Sequence, residues 1–139
     1  MTRYLIVAHQ TADSPQLLET VADIRRNDAD AEFGLVVPAT HVAHLGRWTQ
    51  GESTTVAAEA GERARKQLAA QGVELVEVTV GDANPVYAVT DAFNRQDWDH
   101  ILISTLPSGA SRWVKMDVVS RLTRELTVPV THIEAEARV

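Results

Sequence analysis

Residues 99–133 constrain the fold more than any other part of this chain. An apolar run of strand length, His100 to Thr105, passes into Leu-Pro-Ser-Gly, then into a stretch with Val114, Val118, Leu122 and Leu126 at helical spacing, then into Val128-Pro-Val-Thr-His-Ile. Strand, polar loop, helix and second β-branched strand make a βαβ unit, whose loop lies on the sheet edge where ligands bind. A chain built from such units is committed to a parallel sheet covered by helices, because each crossover lays a helix on one face.

The same alternation begins at the first residues. Arg3 to His9 reads as strand one, with continuous apolar positions from Leu5 to Ala8 that suit burial on both faces. Ser14 and Pro15 supply a cap and first turn, Leu17, Leu18, Val21 and Ile24 share one helical face, and this helix should end near Asn27 to Asp30. Glu32 to Val37 is strand two, halted by Pro38, and Ala39 to Gly51 is a long connection carrying His41, His44 and Trp48. Ser53 reads as the cap of a second helix with Val56, Ala60, Ala64 and Leu68 along its seam, stopped by a left-handed Gly72. Val73 to Val80 alternates apolar and acidic side chains, the pattern of an edge strand with one exposed face. Gly81 to Pro85 turns into a third helix with Val86, Val89 and Phe93 inward, His100 to Thr105 is strand four, Ser111 to Leu126 is the fourth helix, and Val128 to Ile133 is strand five. This order predicts an α/β three-layer sandwich, an open five-stranded parallel sheet with helices on both faces. At 139 residues and 45% hydrophobic content the chain can hold one core and not two, so residues 1–139 are expected to form a single domain.

Composition excludes several function classes. With 13 basic against 19 acidic side chains, the net charge of −6 disfavours nucleic acid as a partner, since that affinity rests on cationic contacts with phosphates. The absence of cysteine excludes disulfides and thiolate-held metals and fits a reducing compartment. No basic leader precedes strand one and no apolar run reaches membrane-spanning length, so a cytoplasmic protein without a membrane partner is expected.

Ligands of open parallel sheets sit beyond the carboxyl ends of the strands where strand order reverses. For the order 3-2-1-4-5 that point lies between strands one and four, lined by His9, Gln10 and Thr11 and by the segment from Ser104 to Arg112. The unpaired amides at the start of the fourth helix would receive a phosphate or carboxylate near Ser108, Gly109 and Ser111, with Arg112 adding charge. Pro38 and Thr105, at the ends of strands two and four, complete the candidate set. The same residues also serve as an ordinary helix cap and chain turn.

Other constellations are weaker. His9, His41 and His44 follow strand ends and His132 lies near the end of strand five, yet no carboxylate stands at a familiar metal-site spacing, so no metal is assigned. His100, on the opposite edge, reads as structural. There is no Gly-x-Ser-x-Gly elbow, and Ser108 and Ser111 have no identifiable base. Trp98 reads as a packing residue, while Trp113 suits either stacking on a base or the core.

The order of elements, the Gly81-Asp turn with Pro85, the Gly109-Ala-Ser-Arg112 loop and the closing Val128-Pro-Val130 resemble the universal stress proteins over nearly the whole chain. The resemblance implies the 3-2-1-4-5 sheet, homodimerisation through strand five and, in one branch, ATP binding. That branch carries Gly, two residues, Gly, nine residues, Gly and Ser or Thr; here Ile103, Leu106, Met116 and Asp117 occupy those positions. The branch also has an Asp after strand one, where this chain has Ala8-His9-Gln10. These departures imply a non-catalytic binding or regulatory module with a degenerate site for an adenine nucleotide or small anion. Two alternatives stay open: a hydrolase acting on a nucleotide or phosphate ester, with His9 as base and Ser108 to Arg112 as anion cradle, and a protein-interaction scaffold without a small ligand.

Overall fold

The computed structural model describes residues 2–39, 50–107, 113 and 117–135. Among them the chain runs β1 (Arg3–Val7), α1 (Pro15–Asn27), β2 (Glu32–Pro38), α2 (Gln50–Ala70), β3 (Leu75–Gly81), α3 (Pro85–Arg95), β4 (His100–Thr105), α4 (Val118–Glu125) and β5 (Val130–Glu134). The strands form one five-stranded sheet in the order β3-β2-β1-β4-β5, every pair parallel. The expected architecture and strand order are both present.

Each face of the sheet carries its own core. Leu17 and Val21 of α1 and Ala60, Ala64 and Leu68 of α2 pack against one face, where Ile6, Leu35, Val37 and Leu102 alternate inward. Val86 and Val89 of α3, with Val118 and Leu122 of α4, cover the other face over Leu5, Val7, Ile101 and Ile103. The alanine seam of α2 brings that helix close to the strands, while the bulkier α3 side is filled by Trp98 and Trp113. Trp113 therefore belongs to the core, as Trp98 does.

Local signals set most helix ends. Ser14 accepts from the Leu17 amide and Asn84 from the Val86 amide, each followed by a proline whose missing N–H costs nothing in the first turn. Gly72, at φ 83°, makes the left-handed exit from α2. Two helix expectations are corrected. Helix α2 begins at Gln50, so Ser53 lies inside it and not at its cap; cap preference is a weak prior once packing extends a helix. The fourth helix is not continuous from Ser111 to Leu126, because Asp117 at φ 59°, ψ 34° is left-handed and breaks a right-handed helix before Val118. Ser111 and Val114 lie outside the described residues.

Strand β3 is at the edge as expected, with Leu75 inward and Glu74 outward, but beyond Leu75 its faces are reversed. A register shift opposite Phe33/Gly34 makes Val76 an extra residue, leaving Val76 49% and Val80 37% exposed. Glu77 instead turns inward to Gln96 Nε2 at 2.9 Å and Arg95 at 3.6 Å. The bulge, invisible in an alternating pattern, exchanges the two faces.

On the amino edge, Arg3 ties β1 to the α3–β4 connection. Its guanidinium donates to Gln96 Oε1 at 2.6 Å and to the Asp97 carbonyl at 3.2 Å and lies 5.0 Å from the Trp98 ring. Trp98 reaches under the sheet at Gly34, where any Cβ would overlap its six-membered ring. Gly34→Ala is expected to lower stability by about 1–3 kcal/mol through overpacking, read as a lower urea midpoint with an altered tryptophan emission; an unchanged midpoint would refute the contact.

Candidate functional site

Winding reverses beside β1: β2 and β3 extend the sheet on one side, β4 and β5 on the other. In a sheet wound this way the ligand crevice lies at the carboxyl ends of the strands beside the reversal, here β1 and β4. The chain leaving β1 makes two tight turns, Ala12 N–H to the His9 carbonyl at 3.1 Å and Ser14 N–H to the Thr11 carbonyl at 3.0 Å, before α1 starts. Those turns bury His9 and Thr11 and leave Gln10 exposed.

Hydroxyls close the floor of the crevice. Thr11 Oγ1 and Ser104 Oγ lie 2.6 Å apart, joining the β1 loop to the end of β4. Thr105 Oγ1 donates to the Leu106 carbonyl at 2.9 Å and lies 2.7 Å from His132 Nε2 on β5. Pro38 is buried at the end of β2, where the next residue, Ala39, donates to the Gly81 carbonyl at 3.0 Å.

His9 is the unusual group. It is only 6% exposed, and neither ring nitrogen meets a hydrogen-bond partner among the described residues. A neutral imidazole offers one donor and one acceptor, and leaving such a group buried and unpaired costs about 1–3 kcal/mol. Burial pushes the imidazole below the ordinary histidine range, and the positive charge of Arg63 on α2 adds in the same direction. His9 is therefore neutral at pH 7. His100, also lowered by burial, contacts Thr131 Oγ1 at 2.7 Å on the opposite edge and plays no part here.

The structure thus brings His9, Thr11 and Thr105 of the candidate set to one edge, with Pro38 at the neighbouring strand end and Gln10 outside. Ser108, Gly109, Ser111 and Arg112 lie outside the described residues, as do His41, His44, Trp48 and Met116. Asp117, at the position of a phosphate-contacting hydroxyl in the resemblance, is exposed and lies 3.9 Å from Arg124. Ser104 was legible as the start of the lining segment, at the polar end of an apolar run. Arg63 was not singled out from the sequence, because it comes to the His9 loop only through the packing of α2, which no local signal announces. Among the described residues no group of three or more His, Asp and Glu side chains is placed to hold a metal ion.

Solved structures with the same arrangement decide what the fold is. A universal stress protein from Archaeoglobus fulgidus is similar over 96% of this chain and 93% of its own, at 18% identity and a TM-score of 0.64. The fold is that of the universal stress proteins. A universal stress protein family protein from Arabidopsis thaliana with AMP bound is similar over 99% of this chain and 94% of its own, at 13% identity and a TM-score of 0.66. The Archaeoglobus fulgidus universal stress protein in complex with dAMP is similar over 96% of this chain and 98% of its own, at 19% identity and a TM-score of 0.62. No protein-family model matches the sequence, and no curated protein matches it.

The hydroxyl contact on the crevice floor is testable by itself. Thr11→Val and Ser104→Ala are each expected to lower stability by about 1–3 kcal/mol, because each strands the other buried hydroxyl, whereas the double variant should lose clearly less than the sum. Urea denaturation of the four proteins gives the coupling; strict additivity would show that the two hydroxyls act independently.

Proposed function

We propose that this chain is a single-domain, non-catalytic binding module that takes a small adenine nucleotide at the carboxyl edge of β1 and β4. The observation that carries the reading is the buried His9, just past the carboxyl end of β1, with both ring nitrogens unpartnered among the described residues. A buried polar group without a protein partner is suited to a ligand that supplies one. The fold supports the class of ligand, since proteins of similar structure have been solved with AMP and dAMP. Ser108, Gly109, Ser111 and Arg112 are proposed to complete the anion contacts, and the lost glycines of the loop make this a degenerate form of the site. A cytoplasmic setting is proposed from the cysteine-free composition.

Thermal unfolding with AMP, ATP and inorganic phosphate tests this reading. A ligand that binds only the folded state at a hundredfold excess over its dissociation constant adds about 2.7 kcal/mol, an easily visible rise in the midpoint. AMP or ATP should raise it in the wild type and far less in His9→Ala. No rise with either nucleotide would sink the proposal, and turnover of ATP dependent on His9 would assign a hydrolase instead.

We also propose homodimerisation through β5. Among the described residues this strand pairs with β4 alone, and it exposes Thr131, His132 and Glu134. A second copy would pair with its other backbone edge. Sedimentation analysis should give a dimer that His132→Pro converts to a monomer, since the residue-132 amide points away from β4 and proline removes that edge donor; a wild-type monomer at all concentrations would exclude it.

A further inference from the structure

We propose that His9 and Arg63 together clamp the phosphate of the bound nucleotide, and that His9 takes up a proton as the phosphate enters. The inference rests on the nucleotide reading above and goes further by bringing α2 into the site and by assigning a proton to the binding step.

The geometry supplies the parts. His9 is 6% exposed and unpartnered at both ring nitrogens among the described residues. Arg63 reaches from α2 to the loop that holds His9, 3.8 Å from Asp13 Oδ2, and its charge acts on the imidazole. The guanidinium is not saturated: its described ion pair, to Asp13 Oδ2, is 3.8 Å long, well beyond a charge-assisted hydrogen bond of about 2.7–2.9 Å. Arg63 is about half exposed at 53%, so it can be reached from solvent, whereas His9 is buried. One group is buried and neutral, the other cationic with donors to spare, and both lie at the loop region on the carboxyl end of β1.

An anion changes the balance between them. In the free protein a second positive charge on His9 is opposed by burial and by Arg63. Among the described residues, the charged groups near it are Arg63 from α2 and Asp13 from its own loop, while β4 ends in the uncharged Ser104 and Thr105 and β2 in Pro38. A phosphate seated between imidazole and guanidinium supplies the opposite charge, which favours the protonated ring. The ring then donates from both nitrogens, one toward the phosphate. Because the bound state holds more protons than the free state, affinity must rise as pH falls, approaching tenfold per pH unit in the window between the two values. Without an anion the sign is opposite for stability. A depressed histidine contributes stability above its ordinary value that is lost as pH falls toward the folded-state value.

Calorimetry with AMP at pH 7, in buffers of different ionisation enthalpy, counts the protons. The wild type is expected to take up as much as one proton beyond the change in the phosphate itself, and His9→Gln none. Arg63→Gln should weaken AMP at least tenfold and leave adenosine, which has no phosphate, unaffected. Titration of the His9 ring by NMR in the wild-type protein gives a readout independent of any variant: its midpoint should move upward in saturating AMP. An unmoved midpoint, equal proton uptake in His9→Gln, or adenosine binding as tightly as AMP would overturn the clamp while leaving the nucleotide site standing. If neither AMP nor adenosine binds, the clamp and the nucleotide reading fall together.

Discussion

Everything in this molecule hangs on β1, the one strand whose ladder partners β2 and β4 mark the point of reversal. Its backbone groups are satisfied sideways by two neighbours, and its side chains Leu5, Ile6 and Val7 vanish into the two cores above and below. A strand buried in this way cannot slip by one residue without driving a whole row of side chains into the wrong core. Its register therefore fixes where β2 and β4 end, and with them the edge at which the winding reverses. The crevice is a consequence of connectivity, and the residues that happen to follow β1 become its lining.

Those residues were visible in the sequence, though their states were not. The two-sided burial of β1, the cap at Ser14, the turn from Gly81 to Pro85 and the glycine exit at Gly72 followed from period, apolar runs and turn chemistry, and the strand order from the family resemblance. What escaped was set by contacts distant in sequence. The bulge at Val76 depends on how β3 meets β2, and the early start of α2 at Gln50 overrides the better cap at Ser53. The left-handed Asp117 sits within a run whose apolar spacing is helical on both sides, so periodicity had no way to signal the break.

The site shows the same division. That His9 follows a buried strand was legible; that both its nitrogens are left without partners was not, because satisfaction is a property of three-dimensional neighbours. Thr11 and Thr105 read as generic polar residues at a ligand edge, yet each has its hydroxyl engaged within the protein, one with Ser104 and one with Leu106 and His132. This fastens the β1 loop to β4 and β4 to β5, so the crevice floor is stiff and the imidazole stands out as its unengaged polar group among the described residues.

The hydroxyl of Thr105 has one hydrogen, and it points at the Leu106 carbonyl. The short contact with His132 must then be made by the ring's own N–H, which pins the imidazole as the Nε2–H tautomer and leaves Nδ1 as a bare lone pair. The outermost strand of the sheet thus presents a fixed acceptor, oriented by a hydroxyl of its inner neighbour. Whatever adjoins that edge meets a ring whose donor is already spoken for, and only the acceptor is left for recognition.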